Sequence, residues 1–316
     1  MLCFKKVNLL ILIVCSVAFL ACSKNKNHKQ KFFLCEDYSH VPYTLSQPSA
    51  TYILDNQLRE ISGLTYLSEN KLLCVNDEQG SIFEYDLKEK AISKNVKFAG
   101  KGDFEAVEYI GNECVVLRSD GKLYFVKDLT RSKSESIKVK TNLNVRNNTE
   151  GLAYDSSSQS LFIACKGLPN VDPIYVNTRA IYRYSIVDST LNAKPFILID
   201  LNDLGKILKL DAFSRFSYKI LESMSPSKGN STFQPSGIAI HPISKNIFVI
   251  GSVGKLLLIL NPQGDLLAVN KLKRKIYPQP EGICFAPDGT LYISTEGKVG
   301  KGRIYQFKYK PELKNR

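Results

Sequence analysis

Glu105, Glu150 and Glu281 recur at one point of a repeated motif, in the strings FEAV, TEGL and PEGI. Carboxylates gathered in one site are tolerated only when they are protonated, salt-bridged or sharing a cation. An oxygen-rich set of this kind suits Ca²⁺. The same acids could instead cap the backbone of a neighbouring repeat, or serve as acid and base in hydrolysis, and the residues alone leave all three readings open. A second set falls where the second strand of a repeat should end: Asn76, Asp77 and Glu78, then Arg118, Lys166 and Glu296. Arg118 and Lys166 have the chemistry to take a phosphate or a carboxylate. We assign Glu105, Glu150 and Glu281 to a metal, with Ca²⁺ as the cofactor, and Asn76, Asp77, Arg118, Lys166 and Glu296 to a ligand at the same mouth. No residue is assigned to catalysis.

Other chemical signals are thin. The three histidines, His28, His40 and His241, form no H-E-x-x-H spacing, which argues against a zinc hydrolase, and His241 before Pro242 reads as a turn residue. No G-x-S-x-G elbow or Walker motif occurs. The glycine-rich strings GSVGK (251–255) and GKVGKG (297–302) read as hairpin turns.

The elements that must position these residues come from an internal repeat. Five segments begin alike, ISGLTYL (61–67), FEAVEYI (104–110), TEGLAYD (149–155), PSGIAIH (235–241) and PEGICFA (280–286). Self-similarity at a period of 40 to 50 residues points to a propeller. Each start is followed by short strands rich in Val, Ile, Leu, Tyr and Phe, broken by turns carrying Gly, Asn, Asp or Pro. Each unit is a thin antiparallel sheet that needs its neighbours to bury its faces. In such a ring the repeat starts and the second-strand ends converge on one mouth. Ser62 and Ser236 stand where the other repeats carry an acid, while Glu60 and Asp103 lie beside that position.

The third and fourth starts are separated by twice the period, so the ring has five blades or six. Leu204, Ile207, Leu208, Leu210, Phe213, Phe216, Ile220 and Leu221 follow helical spacing. We read an enlarged third unit with a helical insertion over 201–224. The last unit lacks an outer strand, and ATYILD (50–55) is a spare strand ahead of the first repeat. Pairing the two would close the ring and hide two edges. The fold expected is all-β, one propeller over 45–310, followed by a tail at 311–316.

Residues 1–22 read as an export signal: Lys5 and Lys6 precede an apolar run from Val7 to Ala21. That run is shorter than the ~20 residues of a spanning helix. It ends Ala21-Cys22, which resembles a bacterial lipobox, with Phe19 in place of the usual Leu. The expectation is lipidation at Cys22, a basic tether over 23–44 that touches anionic head groups, and a place in the bacterial envelope. The net charge of +13 therefore does not imply nucleic acid. The five cysteines beyond Cys22 are odd in number and lack C-x-x-C spacing, so neither a disulfide framework nor a zinc site follows.

The order of repeat starts, from REISGLTYL through GDFEAVEYI, NTEGLAYD and PSGIAIHP to PEGICFAPDGTLYISTEG, together with VNDE after the second strand, resembles the SdiA-regulated family of bacterial envelope propellers. The resemblance spans about residues 50–310 and implies a six-bladed or similar propeller, exported, with divalent-cation binding and no settled activity. Ala106 where the repeat has Gly, the long insertion and the basic tether depart from it. The function expected is an envelope-attached protein that binds a ligand or partner at its channel mouth without required catalysis. A metal-dependent phosphoesterase or lactonase on the same mouth is the alternative.

Overall fold

The computed structural model describes residues 41–170, 177–210, 233–298 and 300–311, all within the unit Phe32–Arg316. The expectations for 1–22, Cys22, the tether up to residue 40 and the insertion beyond residue 210 lie outside the described residues.

The chain forms a β-propeller of five blades, and the innermost strands are the five repeat starts: Ile61–Ser68, Phe104–Tyr109, Thr149–Asp155, Gln234–Ile240 and Pro280–Phe285. Each blade continues outward by antiparallel hairpins. Blade 1, for example, runs Ile61–Ser68, Lys71–Asn76, Ser81–Asp86, Ala91–Lys97. Several of these hairpins turn through left-handed backbone, among them those at Asn70 (φ 60°) and Gly289 (φ 86°), residue types that reach this region at low cost. Each innermost strand packs on the next, and Pro280–Phe285 packs back on Ile61–Ser68. Five apolar clusters fill the wedges between neighbouring blades, as where Val75 and Phe98 of blade 1 meet Val107 and Tyr124 of blade 2.

The doubled repeat spacing belongs to an enlarged third blade rather than to a sixth. Its third strand, Thr178–Ser185, carries two short partners on one edge, Thr190–Leu191 and Ile197–Asp200. A helix follows at Leu201–Leu210. Its start is capped by the Asp200 carboxylate, which accepts from the backbone N–H groups of Asn202 and Asp203. Its apolar stripe, Leu201, Leu204, Ile207 and Leu208, packs on the cluster between blades 3 and 4. Among the described residues no helix is long and apolar enough to cross a membrane.

The strand Ala50–Ile53 pairs antiparallel with Arg303–Phe307 and so supplies the outer strand of blade 5. Ahead of it, Tyr43 is buried and packs between blades 4 and 5. The packed domain thus begins no later than Val41, inside the stretch 23–44 read as a tether.

The recurrent glycine has a steric reason. A Cβ on Gly63 would lie 2.6 Å from the Ala106 Cα, one on Gly237 would lie 2.4 Å from the Glu281 carbonyl oxygen, and one on Gly282 would lie 3.0 Å from the Leu64 backbone nitrogen. The innermost strands approach so closely that only hydrogen fits. At the second repeat Ala106 is itself the atom group for which Gly63 makes room. Replacing Gly by Ala ordinarily stabilises slightly through the unfolded chain. Gly237→Ala is expected to do the reverse, by about 1–3 kcal/mol, because the obstructing atom is backbone. Urea denaturation checks this, and an unchanged or raised midpoint contradicts it.

Candidate functional site

The site is built from one local irregularity repeated around the ring. In blade 1 Ile61 pairs with Asn76 and Gly63 with Val75, leaving Ser62 as an extra residue. The same shift leaves Glu105 between Phe104 and Ala106, Glu150 between Thr149 and Gly151, and Ser236 between Pro235 and Gly237. In blade 5 the shift falls between Pro280 and Ile283 and takes in Glu281. Bulges of this kind re-aim side chains. Here they place Ser62, Glu105, Glu150, Ser236 and Glu281 at equivalent points of five blades. Ser62, Glu105, Glu150 and Ser236, with the glycines beside them, line an axial space of about 10 Å³, room for roughly one water molecule.

A second ring follows from the register. The residues paired just before each bulge are Asn76, Arg118, Cys165, Gly251 and Thr295. One residue further on stand Asp77, Ser119, Lys166, Ser252 and Glu296. Two stacked rings therefore hold five carboxyl groups, four hydroxyls and one ammonium, that of Lys166.

The structure brings Asp77, Lys166 and Glu296 to this second ring and sets Asn76 and Arg118 apart from it. Asn76 holds a loop, donating from Nδ2 to the Gln57 carbonyl (2.8 Å) and accepting from the Gln79 N–H (2.9 Å). Arg118 sits one residue early and forms a two-pronged pair with Asp120, its Nε 2.9 Å from Oδ1. The Asp120 carboxyl is held far below the usual range, first by Arg118 and against the opposing effect of burial. That guanidinium is already spent on a turn.

Glu150 is 4% exposed, and its Oε1 accepts from Lys166 Nζ at 2.9 Å and from Asn148 Nδ2 at 2.9 Å. Burial raises the Glu150 carboxyl to about 7, with Lys166 opposing the rise. Glu105 makes no hydrogen bond among the described residues. Burial, followed by Glu150 and Asp103, pushes it up to about 10. Glu281, 5% exposed, is driven well above the ordinary value by burial and by Glu150. Burial works against the Lys166 charge, but Glu150, Glu281 and Glu105 outweigh it and hold the ammonium above the ordinary lysine range. In the outer ring, burial and then Glu60 raise Asp77 to about 6, and its Oδ1 is buried without a hydrogen-bond partner among the described residues. Burial and then Asp77 raise Glu296.

Carboxylate oxygens are the right donors for Ca²⁺, yet no three His, Cys, Asp or Glu side chains among the described residues stand together as a metal-holding group. Lys166 already occupies Glu150. As arranged, the residues do not fit the ion.

A family model described as SdiA-regulated matches residues 49–307. The chain belongs to the SdiA-regulated family. Among solved structures, this SdiA-regulated propeller is similar to a luciferin-regenerating enzyme at 12% identity, over 83% of this chain and 95% of that one, with a TM-score of 0.49. A glucose dehydrogenase matches at 14%, over 81% and 98%, with a TM-score of 0.49. The calcium-binding protein regucalcin from Agrobacterium tumefaciens strain C58 matches at 12%, over 83% and 96%, with a TM-score of 0.47. Likeness at this distance leaves the chemistry to this chain's own residues.

Sequence reasoning missed three charged groups of the fold. Lys255, in the turn above blade 4, donates from Nζ to the Ser252 carbonyl at 3.1 Å; its charge is weakened by burial and then by Arg274 and Lys298. Arg179 is 7% exposed and donates from Nη1 to the Thr178 carbonyl, with no carboxylate partner among the described residues. Lower in the wall, burial raises Glu108 to about 8, while the Tyr154 backbone and the Thr65 hydroxyl oppose the rise. Lys255 lies in the turn after the second strand of its repeat, but the register that selects Lys166 falls there on Ser252, so the repeat alone does not single it out. Arg179 and Glu108 carry no comparable signal.

Proposed function

We propose that this propeller is a binding protein of the bacterial envelope, anchored through a lipid on Cys22, which takes its ligand across the mouth of the ring and performs no required chemistry. The observation that carries this reading is the pair of stacked rings, with charged groups spread over a mouth whose axis below admits only about one water. A ligand of any size must lie on the outer ring. There it meets acids from blades 5 and 1, Glu296 and Asp77, opposite bases from blades 3 and 4, Lys166 and Lys255. This pattern suits a molecule carrying both charges. Catalysis draws no support from the neighbouring groups: the four described cysteines are buried and His241 is locked in the core between Tyr43 and Ser244. Calcium on Glu105, Glu150 and Glu281 gains no support from the equivalent placement of the three acids, since no three such side chains among the described residues stand together to hold an ion and Lys166 already pairs with Glu150.

The test is a thermal-shift panel on the full chain with amino acids, diamines, sugar phosphates and Ca²⁺, run beside chromogenic ester and phosphoester substrates. A zwitterionic class is expected to raise the midpoint, and Asp77→Asn with Glu296→Gln to abolish the rise. Turnover of an ester or phosphoester that vanishes in Glu105→Gln replaces this reading with the phosphoesterase or lactonase. In the same preparation the mature chain should begin at acylated Cys22, and an unmodified chain with another N-terminus removes the anchor from the proposal.

A further inference from the structure

Outside the two rings one buried charge stands uncompensated. Arg179 belongs to the third strand of blade 3, Thr178–Ser185. That strand pairs with the second as far as Ile181 opposite Ala164. Arg179 lies two residues beyond Ile181, and Lys166 two beyond Ala164, so both bases stand at the mouth end of the blade. Side chains alternate along a strand, and Arg179, opposite Ile199, shares the face of Ile181 and Ile197. Those three isoleucines belong to the apolar cluster between blades 3 and 4, on which the helix Leu201–Leu210 also packs. The guanidinium is thus set at the mouth end of an apolar wedge, and the residue is 7% exposed. A guanidinium offers five N–H donors. Here Nη1 donates to the Thr178 carbonyl at 2.9 Å, while Nε is buried without a hydrogen-bond partner. No ion pair reaches Arg179 among the described residues. Asp200, the acid beside it on the neighbouring strand, is spent on capping the helix. Burial works against the Arg179 charge with no described acid to oppose it.

A buried charge is costly unless it is paired and hydrogen-bonded. The planar arginine fork fits a carboxylate or a phosphate with two parallel hydrogen bonds. We infer that Arg179 is an anion-binding residue: it receives the carboxylate or phosphate group of a ligand at the mouth end of the wedge between blades 3 and 4, through Nε and the N–H groups that its bond to Thr178 leaves over. The site lies outside the two rings and takes a simple oxyanion that carries no cationic group. It can therefore fail while the zwitterion proposed for the outer ring survives, and the reverse.

The experiment follows the thermal midpoint of the full chain and of Arg179→Met in a chloride buffer, and then with inorganic phosphate or acetate in large excess, against NaCl of matched ionic strength. Phosphate also stabilises folded proteins by exclusion from their surface, so the quantity read is the rise in the parent minus the rise in the variant. That difference should reach about 5 °C for at least one of the two anions. A difference with phosphate alone assigns the site to a phosphoryl group, with acetate alone to a carboxylate, and with both to oxyanions generally. A difference near zero for both overturns the inference. In chloride, Arg179→Met is expected to melt at or above the parent, because it keeps an apolar stem and removes an uncompensated charge. A variant that melts below the parent, or does not fold, overturns the inference, since the guanidinium is then compensated inside the chain. Arg179→Lys keeps the charge and a donor for Thr178 without the fork, so it should fold and lose most of the response; a full response there overturns the assignment.

Discussion

A chain that begins at Asn56 is expected to lose its cooperative unfolding transition and to self-associate. Among the described residues the deletion removes three buried side chains. Tyr43 donates to the Gly289 carbonyl at 2.6 Å, Tyr52 donates to Gln306 Oε1 at 2.7 Å, and Leu54 is 1% exposed. It also removes the backbone ladder from Ala50–Ile53 to Arg303–Gln306 and the bond from the Leu54 N–H to the Gly302 carbonyl. Losing a buried Leu or aromatic side chain costs about 2–5 kcal/mol each, so three together rival the 5–15 kcal/mol that holds an ordinary domain folded. What is left of blade 5 then presents Arg303–Phe307 as an open edge, a template for pairing with other chains. Calorimetry and size-exclusion chromatography read both consequences. A monomer melting at the parent's midpoint contradicts the prediction.

The ring itself was legible in the sequence because it rests on local chemistry repeated five times. Gly63, Gly151, Gly237 and Gly282 mark the points where neighbouring strands nearly touch, and no other residue satisfies that contact. The helix at Leu201–Leu210 was legible for a similar reason, since spacing alone fixes its buried stripe. The acids of the inner ring were legible as equivalent positions, although the bulge that aims them was not. That bulge explains the misplaced arginine. Reading strand ends by eye selects Arg118 and Asn76, whereas a shift of one residue in pairing moves the ring to Ser119 and Asp77 and turns Arg118 toward Asp120. Register decides the face on which a side chain falls, and a single inserted residue reverses it.

The partnerships were not legible, because they are distant in the chain or cross a hairpin. The charge and position of Lys166 are plain in the sequence, but only the folded hairpin brings it to Glu150. The same holds for Tyr43 and His241, which meet across 198 residues of sequence. A lone histidine before a proline reads as a turn, and His241 does serve one: its Nδ1 accepts from the Ser244 N–H at 3.0 Å. The other nitrogen reaches the core, and that part of its role has a measurable consequence.

His241 is expected to give the protein an acid-sensitive stability. Its ring is 1% exposed, stacked on Phe248 and edge-on to Phe285, with Tyr309 close by. Because Nδ1 accepts from Ser244, the ring carries its proton on Nε2 and donates to the Tyr43 hydroxyl at 2.9 Å, which donates onward to Gly289. Protonating Nδ1 would set one N–H against another in an apolar pocket. Burial, and then Lys245, therefore lower His241 from 6.5 to about 4; Asp288, the nearby acid that acts on Tyr43, does not reverse this. Between those two values the unfolded chain holds more protons than the folded one, so stability is full above about pH 6.5 and falls as the pH drops toward 4. The loss over that window amounts to about 3 kcal/mol. The raised acids of the mouth work in the opposite sense, losing stability as pH rises, and they are common to parent and variant. Urea denaturation at a series of pH values, parent minus His241→Asn, isolates the histidine, because Asn keeps an acceptor for Ser244 and does not titrate. The difference should narrow by about 3 kcal/mol between pH 7 and pH 4, and a difference that stays constant over that range would show that folding leaves the proton affinity of the imidazole unchanged.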